Sequence, residues 1–276
     1  MSYRDFHVHI EQGPYTLEWL KKFIEKAKER NIEEIGISEH IYRFVQAKNI
    51  WKGGPIRNEW HEKRATEDIE EYISLIEKAK KEGFPVKLGI EADYFPENEE
   101  IIREFIKDYP FDFVIGSVHW LSEFGFDNPE RIKEWEGRDI DKVYEEYYIT
   151  LISAVKSGIF DFIAHPDLVK IFNYRSKADL SNIYGNLAEE IKSKNMCIEV
   201  STAGLRKPVK EIYPSEDLMY YFSKFDIPVI LNSDAHCPED VGKDFEKAVK
   251  YIKSFGFDKL CYFENRKRMQ YEIREE

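Results

Sequence analysis

Two histidines, His7 and His9, stand two residues apart in the run "DFHVHI" near the start of the chain. In a strand, residues two apart share a face, so the imidazoles point one way and Phe6, Val8 and Ile10 the other. Buried polar rings need partners, and the other histidines indicate what kind. Of seven in the chain, six lie in or just past a predicted strand. "HVH", "SEH", "SVH", "AHPD" and "SDAH" so place His7, His9, His40, His119, His165 and His236, whereas His61 falls in a helical approach and takes no role. Glu91 in "GIEAD" and Asp234 in "SDAH" share the strand-end position. One strand-end histidine is ordinarily a hydrogen-bonded rim residue. Six with two carboxylates make a mixed donor set of the kind that Zn²⁺, Mn²⁺ or Fe²⁺ favours.

Such residues can meet only if strands deliver them to one place. Strand and helix patterns alternate along the chain: "DFHVHI", a helix over 16–30, "IEEIGIS", a loop holding "WKGGP", and a helix over about 62–82. "VKLGIEADY", the helical "NEEIIREFIKDY", "FDFVIGSVH", an irregular segment and a helix over about 141–157 follow. Then come "FDFIAHPD", "LSNIYGNLAEEIKSKN", "MCIEVST", "SEDLMYYFSKFD", "PVILNSDAH", a helix over 240–255 and a short strand-like "KLCYFEN". Strands separated by helices imply parallel βαβ units. Seven of them favour a barrel over an open doubly wound sheet, and barrel strands converge on one face at their C-terminal ends.

The 276 residues, 42% hydrophobic and 15% aromatic, suffice for one large core, and residues 1–276 are expected to form a single domain. A formal charge of −12 argues against a general nucleic-acid binder, though not against an anionic substrate met by local metal charge. Cys197, Cys237 and Cys261 have no CxxC spacing, so neither a disulfide framework nor a thiolate zinc site is expected. The charged start runs straight into a strand, which reads as neither signal peptide nor membrane span; the expected location is cytoplasmic. "WKGGP" lacks the context of a phosphate-cradling P-loop and reads as a connection over the pocket.

The ordered set "HVH", "SEH", "GIEAD", "FVIGSVHW", "AHPDL" and "NSDAH" resembles the PHP superfamily. More narrowly, "YPFDFVIGSVHWL", "STAGLRKPVKEIYPS" and "SDAHCPEDVG" resemble its L-histidinol-phosphate phosphatases, over residues 5 to about 245. The resemblance implies a distorted (β/α)7 TIM-like barrel with two to three divalent ions (Zn, Mn or Fe) at the strand C-terminal rim. His7, His9, Glu91 and Asp234 would hold one metal; Glu91 would bridge to a second completed by His119 and His165; His40 and His236 would hold a third. The loop after the first strand is shorter than in related phosphatases and lacks their extra histidine. Glu11, two residues past His9, is the substitute candidate.

The implied activity is hydrolysis of L-histidinol phosphate in histidine biosynthesis, with a metal-bridging hydroxide as nucleophile and Glu91, Asp234 and His236 in catalytic roles. Arg175 and Arg206 match arginines of related phosphatases and are expected to bind substrate, and Arg43 joins them by position alone. The leaving alkoxide's proton is open between a water on the third metal and Asp93. A PHP phosphoesterase for phosphotyrosine or a nucleotide is the nearest alternative. An amidohydrolase, or a non-catalytic metal-binding module, stands further off. The expected partner is a small phosphorylated substrate, with no nucleic acid and no membrane; a homo-oligomer is left open.

Overall fold

The computed structural model describes residues 2–273; residues 1 and 274–276 of the expected domain lie outside the described residues. In chain order the elements are β1 (Tyr3–Val8), α1 (Leu17–Glu29), β2 (Ile32–Ile37), α2 (Pro55–Glu62), α3 (Ile69–Lys81), β3 (Val86–Asp93), α4 (Glu99–Lys107) and β4 (Phe113–Ser117). A small hairpin, β5 (Trp120–Leu121) and β6 (Phe124–Gly125), precedes α5 (Ile140–Ser157) and β7 (Phe162–Ile163). Then follow α6 (Ser181–Ser193), β8 (Cys197–Ser201), α7 (Glu216–Lys224), β9 (Val229–Asn232), α8 (Phe245–Ser254), β10 (Lys259–Glu264) and β11 (Lys267–Glu272).

Local chemistry accounts for these elements. The Thr16 hydroxyl accepts from the Trp19 N–H and starts α1, whose Leu17, Leu20, Phe23 and Ala27 are buried along one face. Asp68 caps α3 in the same way, and Gly158, at φ 65°, ends α5 in the left-handed conformation. β4, β8 and β9 are buried throughout, as parallel strands covered on both faces must be. The sheet order is β1-β2-β3-β4-β7-β8-β9, every pair parallel. The ends nearly close: the His9 N–H donates to the Ala235 carbonyl at 2.7 Å, and the Ala235 N–H to the His7 carbonyl at 3.2 Å. The expected seven-stranded α/β barrel is therefore present, and its closing seam runs between His7–His9 and Asp234–His236.

One irregularity in β1 alters the expected facing. Against β2, Asp5 pairs with Ile35 and Val8 with Ile37, so β1 advances three residues while β2 advances two. The extra residue is a β-bulge. It lets Phe6 and His7 both turn toward the barrel interior, whereas strict alternation puts Phe6 with Val8 and Ile10. Phe6 packs on Phe113 with ring centroids 5.0 Å apart and joins an apolar cluster with Ile115, Phe162, Cys197 and Ile230. Cys261 and Phe263 of the β10–β11 hairpin complete that cluster. Val8 and Ile10 belong to the larger core under the helices. A Cβ on Gly89 would lie 2.1 Å from the Phe113 ring, so that glycine leaves the space the ring fills.

Two helix boundaries differ from expectation. The helix placed at 62–82 begins only at Ile69, because Asp68 supplies its cap, and residues Pro55–Glu62 form α2 inside the expected loop. Pro at the first position favours that start. The helix placed at 240–255 begins at Phe245, after a short 3₁₀ turn.

Candidate metal centre

The C-terminal ends of the barrel strands bring the polar residues together around Glu91. This carboxylate, on β3, is 1% exposed. Its Oε2 lies 2.7 Å from His40 Nδ1, 3.4 Å from His7 Nε2 and 3.6 Å from His9 Nε2. Its Oε1 lies 3.2 Å from His165 Nε2 and 3.6 Å from His119 Nε2. From the seam, Asp234 Oδ1 lies 3.5 Å from His9 Nε2, 3.7 Å from His7 Nε2 and 3.5 Å from His236 Nδ1. Two of these residues, His165 at φ 25° and Asp234 at φ 49°, have left-handed backbone. Non-glycine residues adopt it at a cost, and such strain gathers at functional sites.

The donors fit divalent cations better than one another. His7 Nε2 and both ring nitrogens of His9 are buried without a hydrogen-bond partner, and His40 Nδ1 and Glu91 Oε2 have only their mutual contact. Leaving so many buried polar atoms unsatisfied would be expensive in a purely structural cluster. At Zn–N distances of about 2.0–2.1 Å, tetrahedral ligands stand about 3.4 Å apart, close to the separations around Glu91 Oε2 and Asp234 Oδ1. Three overlapping groups meet a ligand-set geometry: His7, His9 and Glu91; His40, Glu91 and His119; and His9, His40 and His236.

The electrostatics keep both carboxylates ionised and divide the imidazoles between neutral and protonated, so ligation displaces protons from the latter. Burial opposes charge on Glu91, but His40, His7 and His119 outweigh it and hold its pKa well below the usual range. Asp234 is held low in the same way by His7 and His236. Burial, reinforced by His40 and His236, pushes His9 down to about 3, so that ring is a neutral donor. At His40 burial is outweighed by Glu91, and the pKa rises to about 9.

Around these donors lies a supporting layer. Glu199, fully buried on β8, accepts from His7 Nδ1 at 2.7 Å, from Asn232 Nδ2 at 2.8 Å and from the His165 N–H at 2.8 Å. Asp93 accepts from His119 Nδ1. Carboxylates in this position fix the tautomer and tilt of a ligating imidazole. The sequence reading missed Glu199, although a glutamate inside the apolar "CIEVS" was the available signal. Asp93, considered there as a proton source, is 2% exposed with its carboxylate engaged by His119.

The pocket over the donors, about 200 Å³, is lined by His40, His119, His165, Asp234 and His236, and by Glu11. Glu11 Oε1 lies 3.5 Å from His236 Nε2. The expected arginines are placed otherwise. Arg175 pairs with Glu211 at 2.6 Å and lines a different cavity. Arg43 pairs with Glu67 at 3.2 Å. Arg206 donates to the carbonyls of Ser233 and Asp234 and pairs with Asp240, so it braces the segment carrying Asp234. Their charges are already matched by protein partners, and the cation lining the pocket is Lys207. The "WKGGP" segment leads into α2, whose Trp60 forms part of the pocket wall with Tyr42 and Trp120.

Residues 5–203 match the PHP domain family. The chain is 33% identical over 256 residues to a probable histidinol-phosphatase of Deinococcus radiodurans, covering 91% of this chain and 93% of that protein. It is 28% identical to the histidinol-phosphatase of Bacillus subtilis, covering 89% and 98%. In structure it is similar to the histidinol phosphate phosphatase of Lactococcus lactis, solved with zinc, L-histidinol and phosphate. That TM-score is 0.78 at 23% identity, with 97% of this chain and 99% of the other covered.

Proposed function

Because the chain belongs to the PHP domain family, we propose that it is a metal-dependent phosphomonoesterase hydrolysing L-histidinol phosphate to L-histidinol and phosphate, a step of histidine biosynthesis. One observation carries the reading: imidazoles and carboxylates from six strand ends, that of Glu91 among them, meet with buried donor atoms unsatisfied. Full-length similarity to curated histidinol-phosphatases supports the substrate. Residues 1–276 are read as one barrel domain. No helix among the described residues is long and apolar enough to cross a membrane, and the reading includes a cytoplasmic location.

His7, His9, Glu91 and Asp234 would hold one ion, Glu91 with His119 and His165 a second, and His40, His236 and Glu11 a third. Bound divalent ions supply a water of lowered pKa and positive charge for the phosphoryl oxygens. The remaining work belongs to the chain. Glu199 and Asp93 hold His7 and His119 in their ligating tautomers. Arg206 fixes the Ser233–Asp234 backbone, and with it the left-handed turn that presents the Asp234 carboxylate. Lys207, lining the pocket beside His236, adds positive charge where a phosphoryl group would sit. Tyr42, Trp60 and Trp120 limit access of bulk water.

The test is phosphate release from L-histidinol phosphate beside p-nitrophenyl phosphate and phosphotyrosine, with Mn²⁺, Zn²⁺ or Fe²⁺ added. A strong preference for L-histidinol phosphate is expected. Equal, slow turnover of all three would keep the metal phosphoesterase and reject the substrate.

A further inference from the structure

One wall of the pocket carries a charge that the metal chemistry does not use. Asp127 lines the cavity with Tyr42, Trp60 and Trp120. Among the described residues, no hydrogen bond or ion pair joins its carboxylate to another side chain. His119 and His165 offset its charge, and its own backbone N–H bonds to it; with those imidazoles neutral as metal donors, the half-buried carboxylate would keep no counter-ion, and a cationic ligand supplies one. The groups it faces electrostatically are His119, His165 and Asp93, so it stands at one side of the cluster. Lys207, on the same pocket, acts on His236.

The loop holding Asp127 is fixed on both sides. Phe126 is fully buried, and its carbonyl accepts from Trp135 Nε1 at 2.8 Å. The Trp135 ring in turn stacks on Tyr174 with centroids 4.8 Å apart. The Asn128 N–H donates to the Gly125 carbonyl at 3.2 Å, and Asn128 Oδ1 accepts from the Glu130 N–H at 2.9 Å. A carboxylate on a rigid loop among aromatic rings suits a flat or ammonium-bearing cation. The phosphoryl end of a substrate belongs with the metals and Lys207, so the cation must sit at its organic end.

We propose that Asp127, with the aromatic wall of Tyr42, Trp60 and Trp120, is the specificity-determining residue of this pocket and binds the cationic organic half of the substrate. The proposal rests on the histidinol-phosphate reading and adds to it the residue that recognises the ammonium or imidazolium group. Phosphate esters without a cationic group are therefore expected to bind less well, because they leave the Asp127 carboxylate without that partner.

The test compares wild type and Asp127→Asn, both with Mn²⁺ and with bound metal per chain measured, on L-histidinol phosphate and 3-phenylpropyl phosphate. The second ester also leaves as an alkoxide but carries no cation. For the variant, the loss in kcat/KM, residing in KM, is expected to be roughly tenfold or more larger for L-histidinol phosphate. Inhibition by L-histidinol should weaken by a similar factor. Equal losses on both esters, or unchanged inhibition by L-histidinol, overturn the proposal.

A second measurement needs no variant. Wild type is assayed on N-acetyl-L-histidinol phosphate and L-phenylalaninol phosphate. A rise in KM on the first identifies the ammonium, and on the second the imidazole, as the group recognised; no rise on either rejects the proposal. Wild type that hydrolyses 3-phenylpropyl phosphate but not L-histidinol phosphate would instead sink the parent reading.

Discussion

The barrel interior has two storeys built on the same strands. The lower is apolar: Phe6, Phe113, Ile115, Phe162, Cys197 and Ile230 pack together under Cys261 and Phe263. The upper begins one to four residues further along and is almost wholly ionisable: His7, Glu91, Glu199, His165 and Asp234 are all buried. The lower storey has favourable contacts with nothing left over. The upper, though Glu199 and Glu91 pair with several of its groups, still holds buried nitrogens with no partner, so a bound cation adds to its stability. A fold of this kind separates the end that holds the chain together from the end that reacts.

Substitutions should separate the storeys, and the largest effect is expected above. Asp234→Asn should lower kcat/KM by roughly a thousandfold or more by removing a charged metal donor. Circular dichroism and thermal unfolding should show the fold retained. A variant that keeps its turnover would break the comparison at once. Below, Phe113→Ala should cost about 3–5 kcal/mol in denaturant unfolding through the cavity it leaves, while kcat/KM of the folded fraction stays near wild type. A loss of turnover per folded molecule would mean the storeys are not separable.

Glu199 sits where they meet, and Glu199→Gln sharpens the boundary. The amide must present a donor to one of the donors that the carboxylate now accepts. Metal affinity, read by chelator competition, should fall about 10–100-fold. Unchanged affinity would assign Glu199 to packing alone.

The smallest effect concerns the one histidine outside the rim. His61 is stacked against Trp51 at 5.2 Å and near Trp60 and Trp120, and burial depresses its pKa to about 4. Between pH 6.5 and 4 the unfolded chain binds a proton there that the native chain does not, so stability rises with pH across that window. The loss between pH 6.5 and 5.5 should be about 1 kcal/mol. His61→Phe should flatten that part of the wild-type pH profile, and an unaltered slope would place the titration elsewhere.

How much of this was legible follows from where each signal lies. The strand-end histidines, Glu91 and Asp234 were readable because strand ends are marked by local apolar patterning, and a parallel βαβ chain gathers its strand ends on one face. Glu199 was readable in principle, since a glutamate inside "CIEVS" violates that patterning. Helix α2 was hidden in a stretch of glycine, proline and charge where neither period dominates.

Three matters were decided only in three dimensions. The bulge that turns Phe6 and His7 to the same interior depends on the offset between β1 and β2, which neither strand encodes alone. The arginines look free in sequence, but whether a long cation reaches a pocket depends on which carboxylates and carbonyls the fold brings within reach first. For Arg175 that is Glu211, and for Arg206 it is the segment bearing Asp234. Asp127 lies in an irregular segment without periodicity, and only the path of that loop over the rim turns its carboxylate into a wall of the pocket. The sequence alone determined the inventory of donors and the alternation that collects them, because both rest on interactions between near neighbours. The tertiary structure decided which charges remain unmatched, because that is set by contacts between residues far apart in the chain.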